Sequence, residues 1–238
     1  MTTWTHQHFS VKNKMQIKEN VKSIRERVDK AVASSPFPLS EPHVIGVTKY
    51  VDAETARQLV EAGIHDIAEN RTELFLEKQE ALSDLDGISW HLIGSLQRRK
   101  VKEVINKVDY FHALDSLKLA QEIEKRAEHE INCFVQVNVS GEASKHGFSP
   151  EELEEALTSI NALSRVKVVG LMTMAPIDAT ESELADIFGK TYQLKEKMRA
   201  LKLPNIPCTE LSMGMSRDFE TAISNGASFV RIGTEFFK

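Results

Sequence analysis

The chain's 238 residues are 41% hydrophobic and 27% charged, an ordinary globular balance that excludes disorder for the bulk and suits one large domain of the size an α/β barrel fills. With 30 Lys and Arg against 35 Asp and Glu, the formal charge is −5, which offers no global attraction to nucleic acid or an anionic membrane. Cys133 and Cys208 make neither a disulfide framework nor a zinc-ligand set, so no metal and a reducing compartment are expected, and the absence of a leader pattern or a long apolar run points to a soluble, cytoplasmic protein.

In chain order, the first expected element is a long helix at about 11–33, where Ile17, Val21, Ile24, Val28 and Val32 recur at helical spacing. Its other faces carry Lys12, Lys14, Lys18, Lys22, Arg25, Arg27 and Lys30 against Glu19, Glu26 and Asp29, which reads as a solvated outer face. After a short connector at 34–38 come eight strand candidates, at 43–48, 65–68, 90–93, 109–114, 132–139, 167–173, 209–213 and 228–233, each gap carrying a helical pattern. Eight β–α units in series predict a TIM (β/α)8 barrel over about 43–238, with a doubly wound open sheet as the alternative. Ser149-Pro150-Glu151-Glu152 has the residue types of a capping box. Leu184, Ile187, Phe188, Leu194, Met198 and Leu201 form the apolar stripe of a helix within 180–203 that Pro204 ends.

A barrel gathers its site at the C-terminal ends of its strands. There the sequence places Lys49, Glu69-Asn70, His91 with Gly94-Ser95, Asp115-Ser116, Asn138, Thr173, the run from Ser212 through Met215 to Ser216, and Arg231-Ile232-Gly233-Thr234. The small and hydroxyl residues after the last two strands suit a phosphate cradle, with Asp218 expected to cap a following helix that extends through 220–224; ordinary turn chemistry needs the same residues. Lys49, partly desolvated at a strand end, suits attack on a carbonyl, although a lysine there also serves by laying its stem over apolar surface. An aldehyde-bearing phosphate ester held between the two would be pyridoxal 5′-phosphate (PLP) or the sugar-phosphate substrate of an aldolase.

The motifs VTK at 47–49, AEN at 68–70, WHLIGSLQ at 90–97, QVNVSGEASKHG at 136–147, GLMTMAP at 170–176, LSMGMSRD at 211–218 and VRIGTEFF at 230–237 together resemble the pyridoxal phosphate homeostasis proteins, single-domain relatives of the alanine racemase barrel. The resemblance implies a PLP barrel of fold type III in which Lys49 holds PLP as a Schiff base. It implies that Ser216, Gly233 and Thr234 hold the phosphate, with Ser212, Met215, Asn70 and His91 among the cofactor-binding residues, although by residue type alone Asn70 suits a helix cap and His91 a core position. Arg231 would face the pyridine nitrogen, where a fixed guanidinium disfavours ring protonation and weakens the cofactor as an electron sink. Lys145 matches a lysine the family retains, either a second PLP acceptor or a loop anchor. Tyr50-Val51-Asp52 and Arg71-Thr72-Glu73 depart from the family pattern beside the cofactor's open side.

The implied role is to buffer PLP and deliver it, through transient contacts, to acceptor enzymes, as a monomer in the cytoplasm. Racemases of this barrel take a second acid/base tyrosine from a separate domain of a partner subunit. This chain ends five residues after Gly233 and has only Tyr50, Tyr110 and Tyr192, so robust two-base turnover is not expected; a weak amino-acid racemase is the alternative. A nucleic-acid binder built on the first helix and Arg98-Arg99-Lys100-Lys102 is disfavoured by the lack of interleaved aromatics and the negative net charge.

Overall fold

The structure, a computed structural model, describes residues 3–37, 41–141 and 146–238, with side chains from residue 14 onward. Eight strands alternate with helices: α1 (Thr3–Ser34), β1 (His43–Val47), α2 (Ala53–Glu61), β2 (Asp66–Glu69), α3 (Thr72–Ala81), β3 (Ser89–Leu92), α4 (Val101–Val104), β4 (Tyr110–Leu114), α5 (Leu117–Arg126), β5 (Ile131–Gln136), α6 (Leu153–Ile160), β6 (Val166–Met172), α7 (Glu181–Arg199), β7 (Glu210–Met215), α8 (Phe219–Ser224) and β8 (Phe229–Ile232). Every strand pairs in parallel with its sequence neighbour, and β8 returns to β1 with Ile45 opposite Arg231 on one side and Asp66 on the other. The sheet is a closed barrel rather than the open alternative, and each of the eight expected segments overlaps one strand. Strands covered on both faces read as near-continuous apolar runs, and β1 is buried at four of its five positions.

Departures from expectation lie at element ends. The fifth strand stops at Gln136 rather than running to 139, because the chain leaves the ladder there and Val137 pairs instead with Phe148 in an isolated bridge. The first helix begins at Thr3, ahead of the expected residue 11, and its stripe of Ile17, Val21, Ile24 and Val28 is buried. This helix packs on α8 and the closing 3-10 turn Thr234–Phe237. Arg27 forks to both oxygens of Glu220, at 3.0 and 2.7 Å, and to Glu235 at 3.1 Å, while the Asn20 amide donates to the carbonyls of Phe236 and Lys238. Part of the basic face is thus an anchor for the chain's other end.

Ser149 and Glu152 make the reciprocal bonds of a capping box one turn ahead of α6. An unforeseen one starts α7, where Thr180 accepts from Glu183 and the Glu183 carboxylate returns to the Thr180 amide. Both cysteines are free and buried, and burial pushes their thiols well above the ordinary value. Among the described residues, no helix is long and apolar enough to cross a membrane, and no group of three or more His, Cys, Asp or Glu is placed to hold a metal ion.

Candidate cofactor site

At the C-terminal ends of the strands lies a cavity of about 660 Å³. Seven of the nine residues singled out as cofactor-binding line it: Lys49, Asn70, Met215, Ser216, Arg231, Gly233 and Thr234. Residues from β1, β2, β7 and β8 reach one space because a closed parallel barrel turns all its strand ends to the same face.

Lys49 follows β1 by two residues, and its approach is clamped. The Thr48 amide donates to the Ala68 carbonyl at 3.0 Å and the Thr48 hydroxyl to Glu69 Oε1 at 2.7 Å. Lys78, on α3, donates to the Thr48 carbonyl at 2.5 Å and pairs with Glu69, both side chains being almost wholly buried. The peptide before Lys49 is therefore tied to β2 and α3, whereas the Lys49 ammonium rests 4.7 Å over the Tyr50 ring and makes no ion pair among the described residues. Nothing in the strand pattern singled out Lys78. Its signal was the helical spacing from Phe75, which puts a lysine on the buried face of α3 and calls for a buried carboxylate partner.

Asn70 is not the helix cap that its residue type also suits. The cap position of α3 is Arg71, and Asn70 faces the cavity. Gly94 makes that possible, because a Cβ there would stand 2.0 Å from the Asn70 carbonyl oxygen. Gly214, one residue before the end of β7 and within its register shift, takes φ +91°, with the site of a Cβ only 2.5 Å from Ala222. Ser216 accepts the Gly233 amide at 3.2 Å, which leaves its own O–H to donate. Asp218 departs from expectation: its carboxylate does not cap α8 but turns back to accept the Met215 amide at 2.6 Å. The Met215 N–H is therefore already engaged. Burial pushes the Asp218 carboxyl up, against the pull of that amide and of Arg231.

Arg231 is 5% exposed. One guanidinium nitrogen donates to Ser212 Oγ at 2.6 Å and another to the Thr173 carbonyl at 3.0 Å, fixing two sides of the fork while its edge lines the cavity. Burial pushes the group down to about 10, with Asp218 opposing. His91 and Ser212, which the resemblance puts among the cofactor-binding residues, stand behind the cavity, His91 as the core histidine that its residue type alone suits. Both are wholly buried and neither reaches the cavity wall, because strand alternation turns them into the barrel interior. There His91 bonds to Asp66 and to His112, and His112 bonds to Ser212. Sequence reasoning passed over His112, which lies mid-strand in an apolar run. Lys145 lies outside the described residues; the neighbouring His146 lines the cavity.

Residues 13–238 match the family model described as the alanine racemase N-terminal domain. A protein of Aquifex aeolicus (strain VF5) named pyridoxal phosphate homeostasis protein is 40% identical over 222 residues, spanning 92% of this chain and 96% of its own length. The structure of PipY from Synechococcus elongatus PCC7942 with PLP bound is similar at a TM-score of 0.81 and 30% identity, covering 93% of this chain and all of PipY; its PLP-free structure gives 0.84. An alanine racemase of Corynebacterium glutamicum, 13% identical with a TM-score of 0.68, shares the barrel over 93% of this chain and 60% of its own. With strand-end motifs, closed barrel and cavity all agreeing, the chain belongs to the pyridoxal phosphate homeostasis protein family, within the wider family of the alanine racemase N-terminal domain.

Proposed function

We propose that this protein binds PLP in the cavity at the strand ends and, as a monomeric barrel in the cytoplasm, buffers it and passes it by transient contact to acceptor enzymes. The observation that carries the reading is the placement of Lys49 on the same 660 Å³ cavity as the Ser216, Gly233 and Thr234 cradle. Such a volume is ordinary for a cofactor-sized ligand, for which about 300–1,000 Å³ is typical. Among the described residues lining it, Lys49 is the one lysine. The cradle fits a phosphate by its chemistry: two hydroxyls, of Ser216 and Thr234, and a glycine, Gly233, where a Cβ would press within 3.3 Å of the Val47 carbonyl.

PLP, when bound, supplies a reactive aldehyde on an electron-withdrawing ring. Lys49 presents the cavity's amine and would hold that aldehyde reversibly, with water as the group released on attachment and taken up on release. Thr48, Glu69 and Lys78 hold the lysine's backbone. Arg231, held on two sides, presents a fixed cation to the cavity. Tyr50 stands on the Lys49 side of the site, Tyr110 is stacked on His91 and Tyr192 lies tilted against Phe37; this arrangement supports a carrier rather than a two-base racemase.

The test is the absorption spectrum of the protein incubated with PLP, for wild type and Lys49→Ala, before and after borohydride. A visible band that the variant lacks, with the reduced adduct mapped to Lys49, is the expected result. No band, or an adduct chiefly on another lysine, would overturn the reading.

A further inference from the structure

The hydrogen bonds behind Arg231 continue away from the cavity and through the barrel. Arg231 Nη1 donates to Ser212 Oγ at 2.6 Å; Ser212 Oγ lies 2.8 Å from His112 Nδ1; His112 Nε2 lies 2.9 Å from His91 Nδ1; and His91 Nε2 lies 2.9 Å from Asp66 Oδ1. Five strands, β8, β7, β4, β3 and β2, give one member each. Asp66 opens β2 at the barrel's opposite end, where the exposed His43 stands 3.3 Å from the same oxygen. The middle of the chain is dry. Ser212, His112 and His91 have no exposed surface, Tyr110 stacks on His91 at 4.9 Å between ring centres, and Phe134 stacks on His112 at 4.5 Å.

The direction of every link follows from the groups at the two ends. A guanidinium only donates, so Ser212 Oγ accepts from Arg231, and its single O–H is free to go to His112 Nδ1. The proton of His112 then sits on Nε2 and is donated to His91 Nδ1, which puts the His91 proton on Nε2, donated to the Asp66 carboxylate. The opposite polarity would bring the bare Nε2 lone pair of His91 against a carboxylate oxygen and leave the Ser212 proton without an acceptor, so it needs an extra proton on His91 or Asp66. Burial disfavours that proton on the histidines: it lowers both imidazoles, His112 furthest, with His91, Arg231 and His43 adding to the effect and Asp66 opposing at His91. Burial raises Asp66, but bonds from His43 and His91 outweigh it and hold the carboxyl below its ordinary value. The other titratable groups facing the chain are Glu41, Asp109, Tyr110 and Glu210 at its floor and Asp218 beside Arg231.

We propose that Ser212, His112, His91 and Asp66 are positioning residues for the cofactor site, a one-way hydrogen-bond chain with both histidines neutral and protonated at Nε2, which locks the Arg231 guanidinium against the cavity from the far end of the barrel. The proposal rests on the cavity's reading as a PLP site. None of the four need touch the cofactor. Asp66 acts as a remote counter-charge, through three neutral groups, for a cation that has no carboxylate bonded to it.

Two measurements test it. The first uses protein without PLP: 15N chemical shifts of the labelled histidines at neutral pH. His91 and His112 are expected as neutral Nε2–H tautomers with bare Nδ1, and an Nδ1–H tautomer or a cation at either residue would overturn the chain. The second is the dissociation constant for PLP, from titration of the visible band, in Ser212→Ala and His112→Phe, with Phe134→Leu as a control that loosens the same core and leaves the chain intact. Loss of the bonded acceptor behind a buried cation is expected to weaken PLP binding about tenfold in the first two variants and little in the control. Unchanged binding in both, or equal weakening in the control, would overturn the positioning role. Failure of wild type to bind PLP at all would overturn the reading of the site, and is separable because the tautomers are read without PLP.

Discussion

Gly94 and Lys49 show two ways in which single residues make this site. Lys49 supplies chemistry, and its residue type at a strand end announced it. Gly94 supplies only absence, for its missing Cβ lets the Asn70 carbonyl pass where any other side chain would begin. Gly94→Ala is expected to lower unfolding free energy by about 1–3 kcal/mol, because the obstructing atoms are backbone and cannot swing aside. It should also weaken PLP binding by displacing Asn70. Denaturant melts and a PLP titration of the same variant check both effects, and a variant of unchanged stability would contradict the close approach. His91 teaches the converse lesson. Its motif set it near the cofactor, but no one-dimensional pattern reports whether a strand histidine looks into a cavity or into a barrel core.

Among the elements, the apolar stripes of α1 and α7 and the strand runs were legible, because burial on one or both faces writes a period into the sequence. Caps were less so. The Ser149 box and the Thr180 box use similar residues, yet only the first stood out, since a proline follows its serine. The tie between α3 and β2 was hidden entirely. Lys78 and Glu69 are nine residues apart and meet only because α3 folds back over its own strand. Glu69 Oε2 is buried with no hydrogen-bond partner, so the pair has little reserve. Lys78→Ala is expected to cost about 3–5 kcal/mol by stranding the buried carboxylate, and Lys78→Met with Glu69→Leu much less. Equal losses in the single and double variants would show that the charges are not coupled in this way.

For the whole molecule, the two neutral histidines at the barrel's centre predict acid sensitivity. Their folded-state values lie below the ordinary 6.5, so below about pH 6.5 the unfolded chain takes up protons that the native barrel refuses, and stability falls with pH. Asp66, held low, adds a further loss only as pH drops below the ordinary carboxylate range. His43 works the other way: its value is raised by the Asp66 hydrogen bond, so its contribution is present in acid and fades as pH rises through that value. Urea melts between pH 7 and 5 should show decreasing stability. In His112→Phe the slope should be shallower by up to about 1.4 kcal/mol per pH unit, one proton's worth, and a wild-type protein more stable at pH 5 than at pH 7 would contradict the neutral pair.

Eight strands in order, the helices between them and the motifs at the strand ends were legible in the sequence, because each of these is local: a run of apolar residues, a turn, a motif after a strand. Tertiary structure alone decided which polar residues stand at the cavity wall and which stand behind it, how Asp218 is spent on Met215, and how Asp66, His91, His112, Ser212 and Arg231 join across five strands. Those links span up to 100 residues of chain. They exist only once closure of the sheet sets each strand's register and rotation, a cooperative geometry that no short stretch of sequence encodes.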